Sequence, residues 1–241
     1  MKRAFFAPLM GLALVGAASA AGYQDSSYVN LGGGNWKPAA AWCDTPGRVL
    51  AVTAPTGQGG AQPTTLVQWT GSRYTTQAWQ YGPSEGAAGS SYVALTPAGR
   101  TVGGAPDFYV RLSNVENVQD PAYRMTHVSE FKVPAGTFRC RYVPQAAVLA
   151  ATAKHSVVVW EQGGKVTYAS QNRDGTSGVQ LTGGTHTQSA GGDQYQWQKN
   201  GYTYTLRLGG VTTPGGTLSV TRAGRALSSE SLVAYTVSTP K

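Results

Sequence analysis

Three histidines, eleven carboxylates and many serines are the groups in this chain that could do acid–base, nucleophilic or metal chemistry. His127, His155 and His186 lie 28 and 31 residues apart, and neither interval is a helical or finger-type ligand spacing. That pattern selects no metal and no cofactor, and the three read as isolated sheet or loop histidines. A nucleophilic serine needs a Gly-x-Ser-x-Gly elbow between a strand and a helix; the one such run, Gly82-Pro83-Ser84-Glu85-Gly86, has no helical pattern after it. Paired carboxylates of the kind glycosidases use would be drawn from Glu116, Asp120, Glu130 and a few others, and no spacing picks out two. The loop Thr56-Gly57-Gln58-Gly59-Gly60 is glycine-rich, but Pro63 and a strand follow it. A phosphate cradle needs a helix N-terminus there. The chain therefore reads as non-catalytic, with an extracytoplasmic enzyme lacking a recognisable motif as one alternative.

Charge gives a second kind of chemistry. The run Phe138-Arg139-Cys140-Arg141-Tyr142 reads as a strand that sends Phe138, Cys140 and Tyr142 inward and Arg139 and Arg141 outward. With Arg111, Arg124 and Lys132 close by in sequence, these form a candidate basic stripe for an anionic partner. Solvated charges partly offset by Glu116, Asp120 and Glu130 are the competing reading. Trp36 and Trp42 flank a loose glycine-rich stretch and read as packing residues rather than as sugar-stacking platforms.

Cys43 and Cys140 are the two cysteines. In an oxidising compartment such a pair reads as one disulfide; two free thiols or a metal pair are the alternatives. The compartment is indicated by residues 1–20, which carry Lys2 and Arg3, an apolar run from Ala4 to Val15, and Ala18-Ser19-Ala20. This is the pattern of a secretory signal peptide cleaved after Ala20, too short to span a bilayer. No later stretch reads as a membrane span. Cleavage removes two basic groups and lowers the formal net charge from +8 to +6, which makes nucleic acid an unlikely partner. The expected location is extracytoplasmic, either periplasmic or released.

The elements that must position these residues read as strands. Among 241 residues, 32 are Gly and only 12 % are charged, against a usual ~7 % Gly and ~25 % charged. That excludes coiled coils and charged disordered tails, while 41 % hydrophobic and 10 % aromatic residues suffice for a core. Gln194–Lys199 and Tyr202–Leu206 alternate on either side of Asn200-Gly201, the strongest short-range hairpin signal. Its register pairs Lys199 with Tyr202, Trp197 with Tyr204 and Tyr195 with Leu206. A second hairpin turns at Gly163-Gly164, and its first strand is apolar on both faces, which places it centrally. Further strands are expected at 48–53, 64–69, 74–80, 91–95, 108–112, 126–133, 137–143, 217–221 and 232–237.

Segments recur. Val49-Leu50-Ala51-Val52-Thr53-Ala54 is echoed by Val148-Leu149-Ala150-Ala151-Thr152-Ala153, and Leu66-Val67-Gln68-Trp69 by Val157-Val158-Val159-Trp160. Tyr109-Val110-Arg111-Leu112 is echoed by Thr205-Leu206-Arg207-Leu208. With the cysteines, the offsets are 97, 99, 91 and 96. The expectation is an all-β antiparallel barrel or sandwich of two similar halves. A signal peptide (1–20) and an extended segment (21–42) precede repeats at 43–139 and 140–241, with fusion of the two repeats into one domain as the alternative. A disulfide between equivalent positions would lie near a pseudo-twofold axis.

The second half resembles the membrane-bound inhibitor of c-type lysozyme family through Cys140, Ser177-Gly178 and Trp197-Gln198-Lys199-Asn200-Gly201 leading into Tyr204-Thr205-Leu206. Asn200 interrupts the family's Lys-Gly, Gln180 and Leu181 replace its Arg and Tyr, and its late second Cys is absent. The resemblance implies a small secreted β-barrel in which Ser177 and Lys199 enter a lysozyme cleft. The reading as a whole is an exported, non-catalytic binding or accessory protein of the bacterial cell envelope, its partner an envelope polymer, another envelope protein or an acidic surface. A protein inhibitor of c-type-lysozyme-like hydrolases is the alternative.

Overall fold

A computed structural model describes residues 22–100, 106–113, 123–124 and 127–241. The expected signal peptide, and Glu116 and Asp120, lie outside the described residues. Every regular element described is a strand. The first nine are β1 (Tyr23–Asn30), β2 (Trp36–Thr45), β3 (Arg48–Thr53), β4 (Gln62–Thr70), β5 (Arg73–Ala87), β6 (Ser90–Pro97), β7 (Phe108–Ser113), β8 (Val128–Val133) and β9 (Gly136–Arg139). Then come β10 (Val148–Thr152), β11 (His155–Gln162), β12 (Lys165–Asn172), β13 (Ser177–Ser189), β14 (Gly192–Lys199), β15 (Tyr202–Gly209), β16 (Gly216–Arg222) and β17 (Arg225–Pro240). The segment 21–42, expected to be extended, contains β1 and most of β2.

From β10 onward each strand pairs antiparallel with the next. β17 returns to β10 (Val148 opposite Val237), closing an eight-stranded antiparallel barrel. The choice left open between barrel and sandwich is thus settled. The Asn200-Gly201 hairpin has the expected register, and both turn residues take the positive φ that a type I′ turn requires (52° and 78°). β2 to β9 form a second antiparallel run. Where β9 ends against β2, the join is covalent: Cys43 is bonded to Cys140, and the Arg141 amide donates to the Asp44 carbonyl at 2.9 Å. β1 pairs with both β17 and β2, stitching the two runs together.

Three apolar clusters explain the architecture. One fills the closed barrel around Tyr195, Trp197, Leu206, Leu232 and Tyr235. One lies inside the first run around Leu50, Leu66, Val93 and Phe131. The third lies between them and includes Val49, Ala51, Val67, Trp69, Leu149, Ala151 and Val158. Side chains alternate faces along a strand, so β3, β10 and β11, apolar on both, serve a barrel interior with one face and the shared core with the other. Full burial of a Val or Leu side chain is worth about 1.5–3 kcal/mol, so these two-faced strands hold the runs back to back.

The internal echoes are corrected in detail. Ala51 opposes Val67 in β3–β4, and Leu149 opposes Val158 in β10–β11. Matching the hairpins through Val67 and Val158, both in the shared core, makes Ala51 equivalent to Leu149, an offset of 98 rather than 99. The one-residue slip set Val49, which faces the shared core, against Val148, which faces the barrel interior. Counting from β3 and β10, β7 answers to β14, whereas its echo sits in β15. The cysteines do not occupy equivalent places either. Cys43 lies within β2, Cys140 follows β9, and both pack on the core of the first run.

Candidate functional site

Asp44 follows Trp42 on the face of β2 that looks toward the closed barrel. Ser156 precedes Val158 on the matching face of β11, and Arg173 occupies the turn after β12. The three meet across the junction. Asp44 Oδ1 accepts from Arg173 Nη2 at 2.8 Å and from Ser156 Oγ at 2.9 Å. Arg173 also donates Nη1 to the Thr45 carbonyl (2.8 Å) and Nε to the Thr152 carbonyl (2.9 Å). Its side chain is only 8 % exposed, and a buried charge of this kind is tolerated when paired and hydrogen-bonded.

Beside this pair opens a cleft of about 250 Å³, lined by Asp44, Arg139, Cys140, Arg141, Ser156 and Arg173 among others. Arg141 leans into it. Its Nη1 is 4.0 Å from Asp44 Oδ2 and has no hydrogen-bond partner. Arg139 is exposed at the rim. Because Asp44 already neutralises Arg173, Arg139 and Arg141 are the cations that face an incoming group. Pockets for drug-sized ligands begin near 300 Å³, so this cleft suits one small anionic group with its immediate attachment.

The stripe is thereby revised. Strand structure ends at Arg139, so the alternation extended to residue 143 does not hold: Tyr142 is 40 % exposed, and Arg141 turns into the cleft instead of pointing to solvent. Arg111 remains on the outer face of the first run. Tyr92, Arg111, Glu130 and Arg139 stand opposite one another across β6, β7, β8 and β9. The Arg111 guanidinium lies 5.6 Å from the Tyr92 ring centre and donates Nη2 to Ser90 Oγ at 3.0 Å. Lys132 Nζ lies 5.8 Å from the Tyr109 ring centre. Tyr109 donates to Glu130 at 2.7 Å, and that bond, helped by burial, pushes its phenol up to about 12.

Arg124 does not belong to the stripe. It is 5 % exposed and sits at the mouth of the closed barrel. There Nη1 meets Glu161 at 3.1 Å, and the guanidinium lies 4.2 Å from the Tyr23 ring centre. Glu161 continues the inward alternation of Val157 and Val159, and Asp193 that of Tyr195 and Trp197. Between the two carboxylates stands His186, with Nδ1 2.6 Å from Glu161 and Nε2 2.9 Å from Asp193, stacked on Tyr195 at 4.1 Å. Burial first, then the Glu161 and Asp193 charges, push the Tyr195 phenol far up. His155 is likewise held by Glu230 at 2.9 Å. Close to Arg124, burial lowers the His127 imidazole and raises the Asp25 carboxyl. His155 and His186 are therefore each held by carboxylates, whereas His127 Nδ1 is buried without a hydrogen-bond partner. The carboxylates could have been found in the sequence as charged residues at inward-facing strand ends.

Ser177 opens β13 and Lys199 closes β14, both exposed toward the end of the closed barrel that carries the turns at 173–176 and 200–201. Lys199 Nζ donates to the Gln180 carbonyl at 3.1 Å. Trp42 is buried and donates to Thr236 Oγ1 at 2.7 Å, and Trp36 packs edge-on against Tyr235. No helix among the described residues is long and apolar enough to cross a membrane. No family model, curated protein or solved structure matches the chain.

Proposed function

We propose that the chain is an extracytoplasmic, non-catalytic binding protein of the bacterial cell envelope that takes an anionic group into the arginine cleft between its two strand runs. One observation carries this reading: Arg139 and Arg141 face the cleft while its carboxylate, Asp44, is already committed to Arg173, and Arg141 Nη1 lacks a hydrogen-bond partner. A buried donor without a partner is costly, and an anionic oxygen relieves that cost with a charge-assisted bond. The disulfide is compatible with an oxidising compartment.

Calorimetric titration with galacturonate and with inorganic phosphate tests the reading. Arg141→Gln is expected to weaken binding by roughly 10- to 100-fold, the worth of one hydrogen bond to a charged group. Unchanged affinity, or no heat from either anion, refutes it.

A second reading is favoured by the exposure of Ser177 and Lys199 toward one end of the closed barrel. As an inhibitor of c-type-lysozyme-like hydrolases, the chain would insert that end into an enzyme cleft. Inhibition of c-type lysozyme by the unaltered protein, lost in Lys199→Ala, is its expected result. No inhibition removes it.

A further inference from the structure

We infer that the cleft is the terminus of a longer track, and that the ligand is a linear anionic polysaccharide lying across β6 to β9 with an acidic group in the cleft. The inference rests on the anion-binding reading of the cleft and extends it to the class of ligand. Neighbouring strands are about 4.8 Å apart, so the row Tyr92, Arg111, Glu130, Arg139 crosses three such steps before it reaches Arg141 at the cleft. Lys132 and Tyr109 oppose each other in the adjoining row. Four cations (Arg111, Lys132, Arg139 and Arg141) thus face a ligand along two adjoining rows that lead to the cleft, and Glu130 is set among them.

Two features of those rows select the polymer. The outward rings of Tyr92 and Tyr109 stand edge to face at 5.0 Å, and each has a cation over it. They offer flat apolar contact between charged stations, which suits a chain alternating ring faces with acidic groups. Glu130 supplies the second feature, since a carboxylate accepts hydrogen bonds and repels anions. A deoxyribonucleotide strand has no hydroxyl along its length to offer that carboxylate and meets repulsion there. A glycan brings hydroxyl donors to the same oxygens. Arg111 is held in place by Ser90 and Glu130 by Tyr109, so less side-chain freedom is lost on binding.

The test compares oligogalacturonates of two and eight units, a sulfated dextran oligomer of similar length, and an eight-nucleotide oligothymidylate, by calorimetry at fixed low salt. The octamer is expected to bind about tenfold or more tighter than the dimer, through added stations on one chain. Arg111→Gln combined with Lys132→Gln is expected to remove about tenfold from octamer affinity and to leave dimer affinity unchanged, which also certifies the fold of the variant. Equal affinity for dimer and octamer, or an octamer indifferent to the double substitution, overturns the track. Tighter binding of oligothymidylate than of either glycan overturns the choice of polysaccharide. The sulfated and carboxylated arms distinguish the acidic group. Failure of the cleft itself reads differently, as a dimer whose binding does not respond to Arg141→Gln.

Discussion

Replacing Asp44 with Ala isolates the pair that joins the two strand runs. In the intact protein the carboxylate accepts from Arg173 and Ser156, and Arg173 is 8 % exposed. Removing the carboxylate leaves the guanidinium with the Thr45 and Thr152 carbonyls but without its counter-charge, and breaking a buried ion pair from one side costs about 3–5 kcal/mol. For a chain of this size that is a fall of roughly 6–20 °C in melting temperature. The reciprocal change, Arg173→Met, is expected to cost less. The carboxylate it strands keeps Ser156, and Arg141, 4.0 Å away, can move onto it. Combining Asp44→Ala with Arg173→Met is expected to cost less than Asp44→Ala alone, because no uncompensated charge remains. Urea unfolding of the variants at pH 7 gives the numbers, with the coupling taken from a double-mutant cycle. A loss below about 1 kcal/mol for Asp44→Ala, or additive single effects, would refute the account of Asp44 as a buried counter-ion.

Substituting both cysteines with Ala opens a loop of 97 residues and is expected to lower stability by about 4–5 kcal/mol, measured as a shift in the urea midpoint. His127, lowered by burial, binds a proton more readily when unfolded. Its contribution to stability is complete above its ordinary 6.5 and is lost as pH falls below that value. His127→Gln should therefore flatten the fall in melting temperature between neutral pH and pH 5. Gly184→Ala sets a Cβ against the Trp197 indole and should cost about 1–3 kcal/mol by overpacking, seen in thermal melts and in tryptophan fluorescence.

Local alternation is carried by adjacent residues, so the hairpins at 163–164 and 200–201 and the span of β3 were legible in the chain. β1, β2, β10 and β13 lie outside the strand spans expected from the chain. β2 is interrupted by Pro38 and a run of Ala, and β13 carries Gly178, Gly183 and Gly184 among polar residues, so neither shows a clean two-residue period. What holds these strands is pairing with distant partners, β1 and β3 for β2, β12 and β14 for β13. The cleft was half legible. Arg139 and Arg141 stand out as a doublet, but Asp44 meets Ser156 and Arg173 across 112 and 129 residues of chain. Arg124 lies near Arg139 and Arg141 in sequence, but its ion pair is with Glu161, 37 residues away.

The position of the cleft follows from how the first run closes. A barrel closed by a full ladder presents no gap at its seam, and the β17–β10 join of the other barrel is of that kind. Between β9 and β2 the ladder is replaced by one disulfide and the single amide bond from Arg141 to the Asp44 carbonyl. β9 stops after four residues, which frees the chain from Arg139 to Arg141 to bend away from strand geometry. That bend turns Arg141 into the junction rather than out to solvent. The same few residues thus close the first run and form one wall of the cleft. Reducing the disulfide should then abolish anion binding along with the stability it supplies. Substitutions at the far seam, where β17 meets β10, should lower stability and leave the affinity of the folded protein intact.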